Sequence, residues 1–211
     1  MSKEPGAVHA IVHLHGFSAS RKDISPVVET VAPQLRANAF FAPLAAHGLS
    51  NPEEFATVTP QDWLDDAREA LAVGRRLGDR VILVGISTGA LLATLAVLED
   101  NSNVAALVLL SPNFGLSDWR ARFISGPLGP WLARIAIGRE YSFEPATKGH
   151  AEFWTPRYPS QAVVALMDLL NYARTLRLSA LYCAAVTTAC WSNRSCKPCS
   201  RQSRRRSTKW R

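Results

Sequence analysis

The pentapeptide Gly85-Ile86-Ser87-Thr88-Gly89 sets a serine between two glycines, with an apolar run on either side. A serine hydroxyl is a weak nucleophile until it is presented sharply and given a base. The G-x-S-x-G pattern serves the first need by holding the serine on a tight strand-to-helix turn. Bulky side chains at the two flanking positions would meet neighbouring backbone, so Gly85 and Gly89 suit them. The helix that follows directs its positive end at the turn and favours negative charge there. The bare pentapeptide also fits a glycine-rich turn with a structural serine; the flanking strand and helix separate the two readings.

Acyl transfer to such a serine needs two N–H donors aimed at the developing oxyanion. The residue after the nucleophile supplies one, here Thr88. His15-Gly16-Phe17 follows the first apolar run and supplies the other most simply through the Phe17 amide. Gly16 is expected to let the backbone approach closely. His15 reads as a loop residue with a structural hydrogen bond.

The elements around these residues alternate. Residues 8–14 form a β-rich apolar run, 23–35 suit a helix and 38–43 a short second strand. Residues 46–57 read as a polar loop that carries His47-Gly48. Thr59 can cap a helix that starts with Pro60 and has Asp62 in its first turn. Trp63, Leu64, Ala67, Ala70 and Leu71 give that helix an apolar face, and Gly78 ends it. Residues 81–84 are wholly apolar, as a central parallel strand requires. Gly85 to Gly89 form the turn, residues 90–98 a buried helix and 104–110 a further apolar strand. This alternation predicts an α/β fold, a mostly parallel sheet with flanking helices. The pattern loosens from 113 to about 160, where scattered aromatics among Gly and Pro suit an insertion over the site. Residues 160–176 are expected to form an amphipathic helix that uses Val163, Val164, Leu166, Met167, Leu169, Leu170 and Tyr172.

With those residues in view, the chain resembles the α/β-hydrolase fold, and within it the carboxylesterase and monoacylglycerol-lipase-like branch. The stretches that carry the resemblance are HLHGFSAS (13–20), PLAAHGLSNPEEF (43–55), QDWLDDAREAL (61–71) and VILVGISTGALLA (81–93). The chain departs mildly, with Thr88 where methionine or glutamine is usual and Ala-His-Gly where Gly-His-Gly is usual. The resemblance implies hydrolysis of carboxylic esters through an acyl-enzyme on Ser87, with no cofactor and no metal. It also implies a helical cap over residues 113–160 that lines the acyl pocket, and places His47 in a loop near the site.

The pattern breaks near the C-terminus. The family supplies its acid and then its histidine after the cap, but the last histidine here is His150 and the last acid Asp168. Residues 1–182 are therefore expected to form an incomplete hydrolase domain, impaired by loss of the triad acid and histidine. Residues 183–211 are expected to form a basic, Cys-containing, disordered tail. Back-translating residues 186–198 and reading from the third base of each codon permits Asp-Asp-Arg-Val-Leu-Val-Glu-Pro-Glu-Leu-Gln-Ala. That stretch resembles the family's acid-bearing strand end and points to a frameshift near residues 182–185. His47 and His150 are the histidines weighed as substitute bases.

Charge sharpens the division. The net charge is +7, yet residues 179–211 hold eight Lys/Arg and no acid, and the rest has 16 basic against 17 acidic residues. The excess is terminal, and a solvated basic run accounts for it better than a nucleic-acid site. Cys196 and Cys199 have metal-knuckle spacing with Cys183 and Cys190 upstream, but the spacing is irregular and lacks apolar support, so no metal is expected. No apolar run is long enough to span a bilayer and no apolar leader stands at Met1–Gly6, which predicts a soluble, cytoplasmic protein without membrane insertion. The expected partner is a small-molecule ester, and the oligomeric state is left open. The readings kept beside hydrolysis are an acyl-ligand-binding remnant without catalysis and a basic-tailed nucleic-acid binder.

Overall fold

The structure, a computed structural model, describes residues 6–48, 51–115 and 124–176. Its centre is a parallel sheet of β1 (His9–Leu14), β2 (Asn38–Ala42), β3 (Arg80–Ile86) and β4 (Val104–Leu110), in the order β2-β1-β3-β4. Parallel neighbours need crossovers, and helices provide them. α1 (Ser25–Gln34) joins β1 to β2, α2 (Pro60–Leu77) joins β2 to β3, and α3 (Thr88–Glu99) joins β3 to β4. Strand alternation divides the core between the two faces. Val12, Leu14, Val81 and Leu83 pack with the residues of α2 and α3, while Ile11, Ala39 and Val84 pack with Val28 and Ala32 of α1.

α2 begins where the sequence places it. The Thr59 hydroxyl accepts the Asp62 amide, the Asp62 carboxylate accepts the Thr59 amide, and Pro60 opens the helix. Such a capping box satisfies amides that the first turn leaves without partners.

Several elements differ from expectation. The helix expected from Asp23 splits into a short 3₁₀ turn over Arg21–Asp23 and α1, because Asp23 turns toward the loop after β1. The polar loop after β2 contains a 3₁₀ segment, Pro52–Ala56, whose Phe55 is fully buried. The five-residue turn expected at Gly85–Gly89 contracts to Ser87, since β3 runs to Ile86 and α3 starts at Thr88. Among the described residues β4 pairs on one side only, and its apolar Val108 and Leu110 are 41% and 38% exposed.

The insertion after β4 is not purely helical. It contains α4 (Gly129–Ile137), β5 (Glu140–Ser142), α5 (Lys148–Phe153) and β6 (Arg157–Pro159), with β5 and β6 forming an antiparallel ribbon. α6 (Ser160–Thr175) follows and joins the main core through Ala162, Ala165, Met167, Leu169 and Leu170. Tyr172, expected on its buried face, is 45% exposed, whereas Ala162, Ala165 and Ala173 of the same helix are buried. No described helix is long and apolar enough to cross a membrane. The tail expected from residue 183, its four cysteines and the frameshift near residues 182–185 all lie outside the described residues.

Candidate active site

Ser87 stands alone between the end of β3 and the start of α3, with φ 51° and ψ −113°. A side-chain-bearing residue adopts that backbone only under strain, of the order of 1–3 kcal/mol, held by its surroundings. Here they are extensive. The Ser87 amide donates to Leu110 O (3.0 Å), and Ser87 O accepts the amides of Asn113 (3.1 Å) and Leu91 (3.3 Å). The two glycines allow α3 to sit this close. A Cβ on Gly85 would lie 2.6 Å from Gly89 O, and one on Gly89 would collide with the carbonyl oxygens of Leu14 and His15. Thr88 and Gly89 are both buried, and the Thr88 amide, at the first position of α3, has no intrahelical acceptor. The buried Thr88 hydroxyl also has no hydrogen-bond partner among the described residues.

The loop after β1 lies against this turn. Gly16 faces Ser87 so closely that a Cβ there would stand 3.5 Å from Ser87 Cβ and 3.6 Å from Ile86 O. That is ordinary contact, so no steric clash demands glycine at 16. A methyl at 16 would instead fill space beside Ser87.

Three successive amides of this loop differ in their engagement. The Gly16 amide donates to Asp23 Oδ2 (3.0 Å) and the Ser18 amide donates to His47 Nε2 (3.1 Å). The Phe17 amide between them meets no acceptor among the described residues. On the carbonyl side, Gly16 O accepts from Ala19 N (3.1 Å), and Ser18 O accepts the Thr155 amide of the insertion (2.7 Å). The Phe17 ring is anchored in an aromatic cluster, with centroids 5.1 Å from Tyr158, 5.7 Å from Phe55 and 5.8 Å from Trp63. Such edge-to-face packing holds a ring in one orientation.

Every histidine of the chain lies in the described residues, and none hydrogen-bonds Ser87. His15 is buried with Nδ1 on Gly16 O (2.9 Å), and burial pushes its pKa down. His47 accepts from Ser18 through Nε2 and donates from Nδ1 to Ala45 O (2.9 Å); burial, then the neighbouring His15, lowers its pKa to about 3. His13 has its ring nitrogens on Val84 O (3.2 Å) and Asp23 Oδ1 (2.7 Å). His150 accepts the Ala146 amide and packs on Trp154. His9 pairs with Arg80 at the opposite end of the sheet, roughly 20 Å of strand from Ser87.

Two residues that organise this loop, His13 and Asp23, were absent from the sequence-based candidates. A signal existed: a histidine in the middle of an apolar strand needs a buried partner, and the nearest acid downstream is Asp23. Trp63 and Asp66 of α2 were seen only as helix residues. Trp63 Nε1 donates to Ala45 O (3.1 Å) and Asp66 Oδ2 accepts the Ala45 amide (2.6 Å), which fixes the loop that carries His47. No cluster of three or more potential metal ligands occurs among the described residues. A cleft of about 530 Å³ opens between Arg21, Lys22 and the insertion residues Phe153 and Trp154, and Ser87 does not line it.

A hydroxyl on a strained corner, a helix N-terminus behind it and unengaged amides beside it form an arrangement suited to a carbonyl that becomes an oxyanion. A parallel sheet with helices on both faces and this corner at the C-terminal end of a central strand define an α/β hydrolase. The chain belongs to the alpha/beta hydrolase family, whose model matches residues 11–199. Among solved structures it is similar to a metagenome-derived lipolytic enzyme, at 19% identity and TM-score 0.63, with 83% of this chain and 72% of that one covered. It is also similar to the monoacylglycerol lipase of Paleococcus ferrophilus, at 15% identity and TM-score 0.53, over 82% of this chain and 70% of that one. An extracellular alpha/beta-hydrolase from a Paenibacillus species matches at 14% identity and TM-score 0.51, over 74% and 69%. At these identities the likeness is one of fold. No curated protein matches the sequence.

Proposed function

We propose that this site is that of a serine hydrolase for carboxylic esters, working through an acyl-enzyme on Ser87. The observation that carries the reading is the pairing of a strained, half-exposed Ser87 with the unengaged amides of Phe17 and Thr88. Ser87 Oγ bonds to the carbonyl carbon, the carbonyl oxygen takes up charge between the two amides, and the bond to the alcohol breaks. Water then releases the acid. No histidine or carboxylate hydrogen-bonds Ser87 among the described residues, so the hydroxyl proton passes to solvent water, from which a departing alkoxide takes one in turn. Turnover is therefore impaired, and esters with good leaving groups, which need no proton on departure, are favoured. The substrate class is small-molecule ester; no metal or cofactor takes part.

The engagement of the chain's histidines elsewhere favours a second reading, an acyl-ligand-binding protein with no turnover. A p-nitrophenyl acyl ester series and a fluorophosphonate probe, applied to the wild type and to Ser87→Ala, separate the two. Hydrolysis or labelling that disappears in Ser87→Ala supports the hydrolase. Saturable binding of the esters with neither supports the binding protein. Labelling that survives in Ser87→Ala refutes the assignment of Ser87. The nucleic-acid reading rests on residues 183–211, outside the described residues, and salt-sensitive DNA binding abolished by their deletion would establish it.

A further inference from the structure

Asp23 occupies a buried position at the end of the 3₁₀ turn, with its side chain 5% exposed, beside a His13 that is fully enclosed. Its two carboxylate oxygens do different work. Oδ1 meets His13 Nε2 at 2.7 Å and Oδ2 accepts the Gly16 amide at 3.0 Å. The other nitrogen of His13 faces the carbonyl of Val84, on β3, the strand that leads into Ser87. Three pieces of backbone thus meet through two side chains: the loop after β1, β1 itself and the strand that carries the serine.

We propose that Asp23 is a positioning residue for the oxyanion site. Held on one side by His13, it keeps the Gly16 amide turned away from Ser87, so that of the three amides 16–18 Phe17 is the one left to face a substrate oxygen. The inference rests on the hydrolase reading for its consequence in catalysis, though not for its geometry. His47 performs the matching task on the other flank by taking the Ser18 amide. With both neighbours held, the Phe17 peptide plane has little freedom to rotate, which is the preorganisation that stabilises developing charge. Without Asp23 the Gly16 amide loses a buried acceptor, and the loop is free to turn that donor elsewhere.

The chemistry of the pair supplies the test. Asparagine at 23 can keep every contact: its oxygen accepts the Gly16 amide and its NH₂ donates to His13 Nε2, while His13 Nδ1–H donates to Val84 O. Alanine keeps none. We expect the Gly16 amide to exchange hydrogen slowly, by NMR, in the wild type and in Asp23→Asn, and about tenfold faster or more in Asp23→Ala, as the loss of one buried hydrogen bond implies. Fluorophosphonate labelling of Ser87 should fall about tenfold in Asp23→Ala and stay near the wild-type rate in Asp23→Asn. Asp23→Glu, which keeps the charge but moves both oxygens by a methylene, replaces the alanine variant if that one does not fold, and should behave like it. An Asp23→Asn protein that matches Asp23→Ala, or an alanine variant whose Gly16 exchange is unchanged, overturns the proposal. Failure of the wild type to be labelled at all counts against the hydrolase reading instead, and the exchange measurement still decides the role of Asp23.

Discussion

The Ser18 amide donates to His47 Nε2 at 3.1 Å, which determines what His47 can do. Nε2 must be the unprotonated nitrogen, and Nδ1, 2.9 Å from Ala45 O, must carry the hydrogen. A ring with both nitrogens so engaged cannot take a proton from Ser87 without releasing the loop after β1. Glutamine at 47 can present an oxygen at a reach similar to that of Nε2; alanine cannot. In His47→Ala the melting temperature should fall by the equivalent of about 1–3 kcal/mol, the cost of a buried amide left unpaired. In His47→Gln most of that loss should be recovered. Thermal denaturation of the two variants checks this, and equal melting of both would show that Ser18 gains nothing from its acceptor.

The same burial makes stability depend on pH in a definite direction. The His47 pKa is lowered from 6.5 to about 3, so between those values the unfolded chain binds a proton that the folded chain refuses. Stability is fully present above about pH 6.5 and declines as pH falls toward 3. His15, lowered in the same sense, adds to the decline. Melting curves from pH 7 to pH 4 should show a downward slope with acidification, flatter in His47→Gln though not abolished. An identical slope in that variant would mean that His47 titrates as it does in water.

Asp66 should act in the opposite sense. Burial chiefly, with repulsion from Asp62, Glu69 and Asp65, raises its pKa above 3.8 against the lowering effect of the Ala45 amide. The folded state then holds a proton that the unfolded state has released, so stability falls as pH rises through that window. Asparagine can still accept the Ala45 amide and carries no charge to desolvate. Asp66→Asn should therefore melt no lower than the wild type at pH 7 and lose stability more steeply on acidification, since the opposing contribution is gone. The same pH series measures this, and a shallower acid slope in Asp66→Asn would reverse the assignment.

Much of the fold was legible because the signals were local. The apolar run at 81–84, the Thr59-Pro60-Asp62 start of α2 and the alternation of periods fall within a few residues of what they specify. The strand–turn–helix around Ser87 was legible for the same reason. Burial was less so, because it depends on partners remote in sequence: β4 and 104–110 of the sequence have the same bounds, yet Val108 and Leu110 are substantially exposed. Phe55 looked like a loop residue and proved to be core, packed beneath Phe17 and Tyr158. The supports of the site were the least legible. Asp23 and His13 are ten residues apart, and only the turn between them brings the carboxylate to the ring and to the Gly16 amide.

The last expectation separates folding from chemistry with two substitutions of one kind. Gly89 and Gly16 both lie next to Ser87, but a methyl group meets different surroundings at each. At 89 it runs into the carbonyl oxygens of Leu14 and His15, backbone atoms that can yield only if α3 moves off β1. Overpacking against backbone destabilises by about 3 kcal/mol, so Gly89→Ala should lose several degrees or more of melting temperature, with labelling lost in proportion to unfolding. At 16 the methyl comes to 3.5 Å from Ser87 Cβ and 3.9 Å from Ala19 Cβ, ordinary contact distances, and the backbone there has no positive φ. Gly16→Ala should therefore melt close to the wild type while its methyl occupies space beside Ser87 that an incoming acyl group needs. Fluorophosphonate labelling of the folded protein should fall about tenfold or more, the scale on which a small misplacement at a reacting centre acts. Full labelling of Gly16→Ala would place the substrate's approach on another side of Ser87.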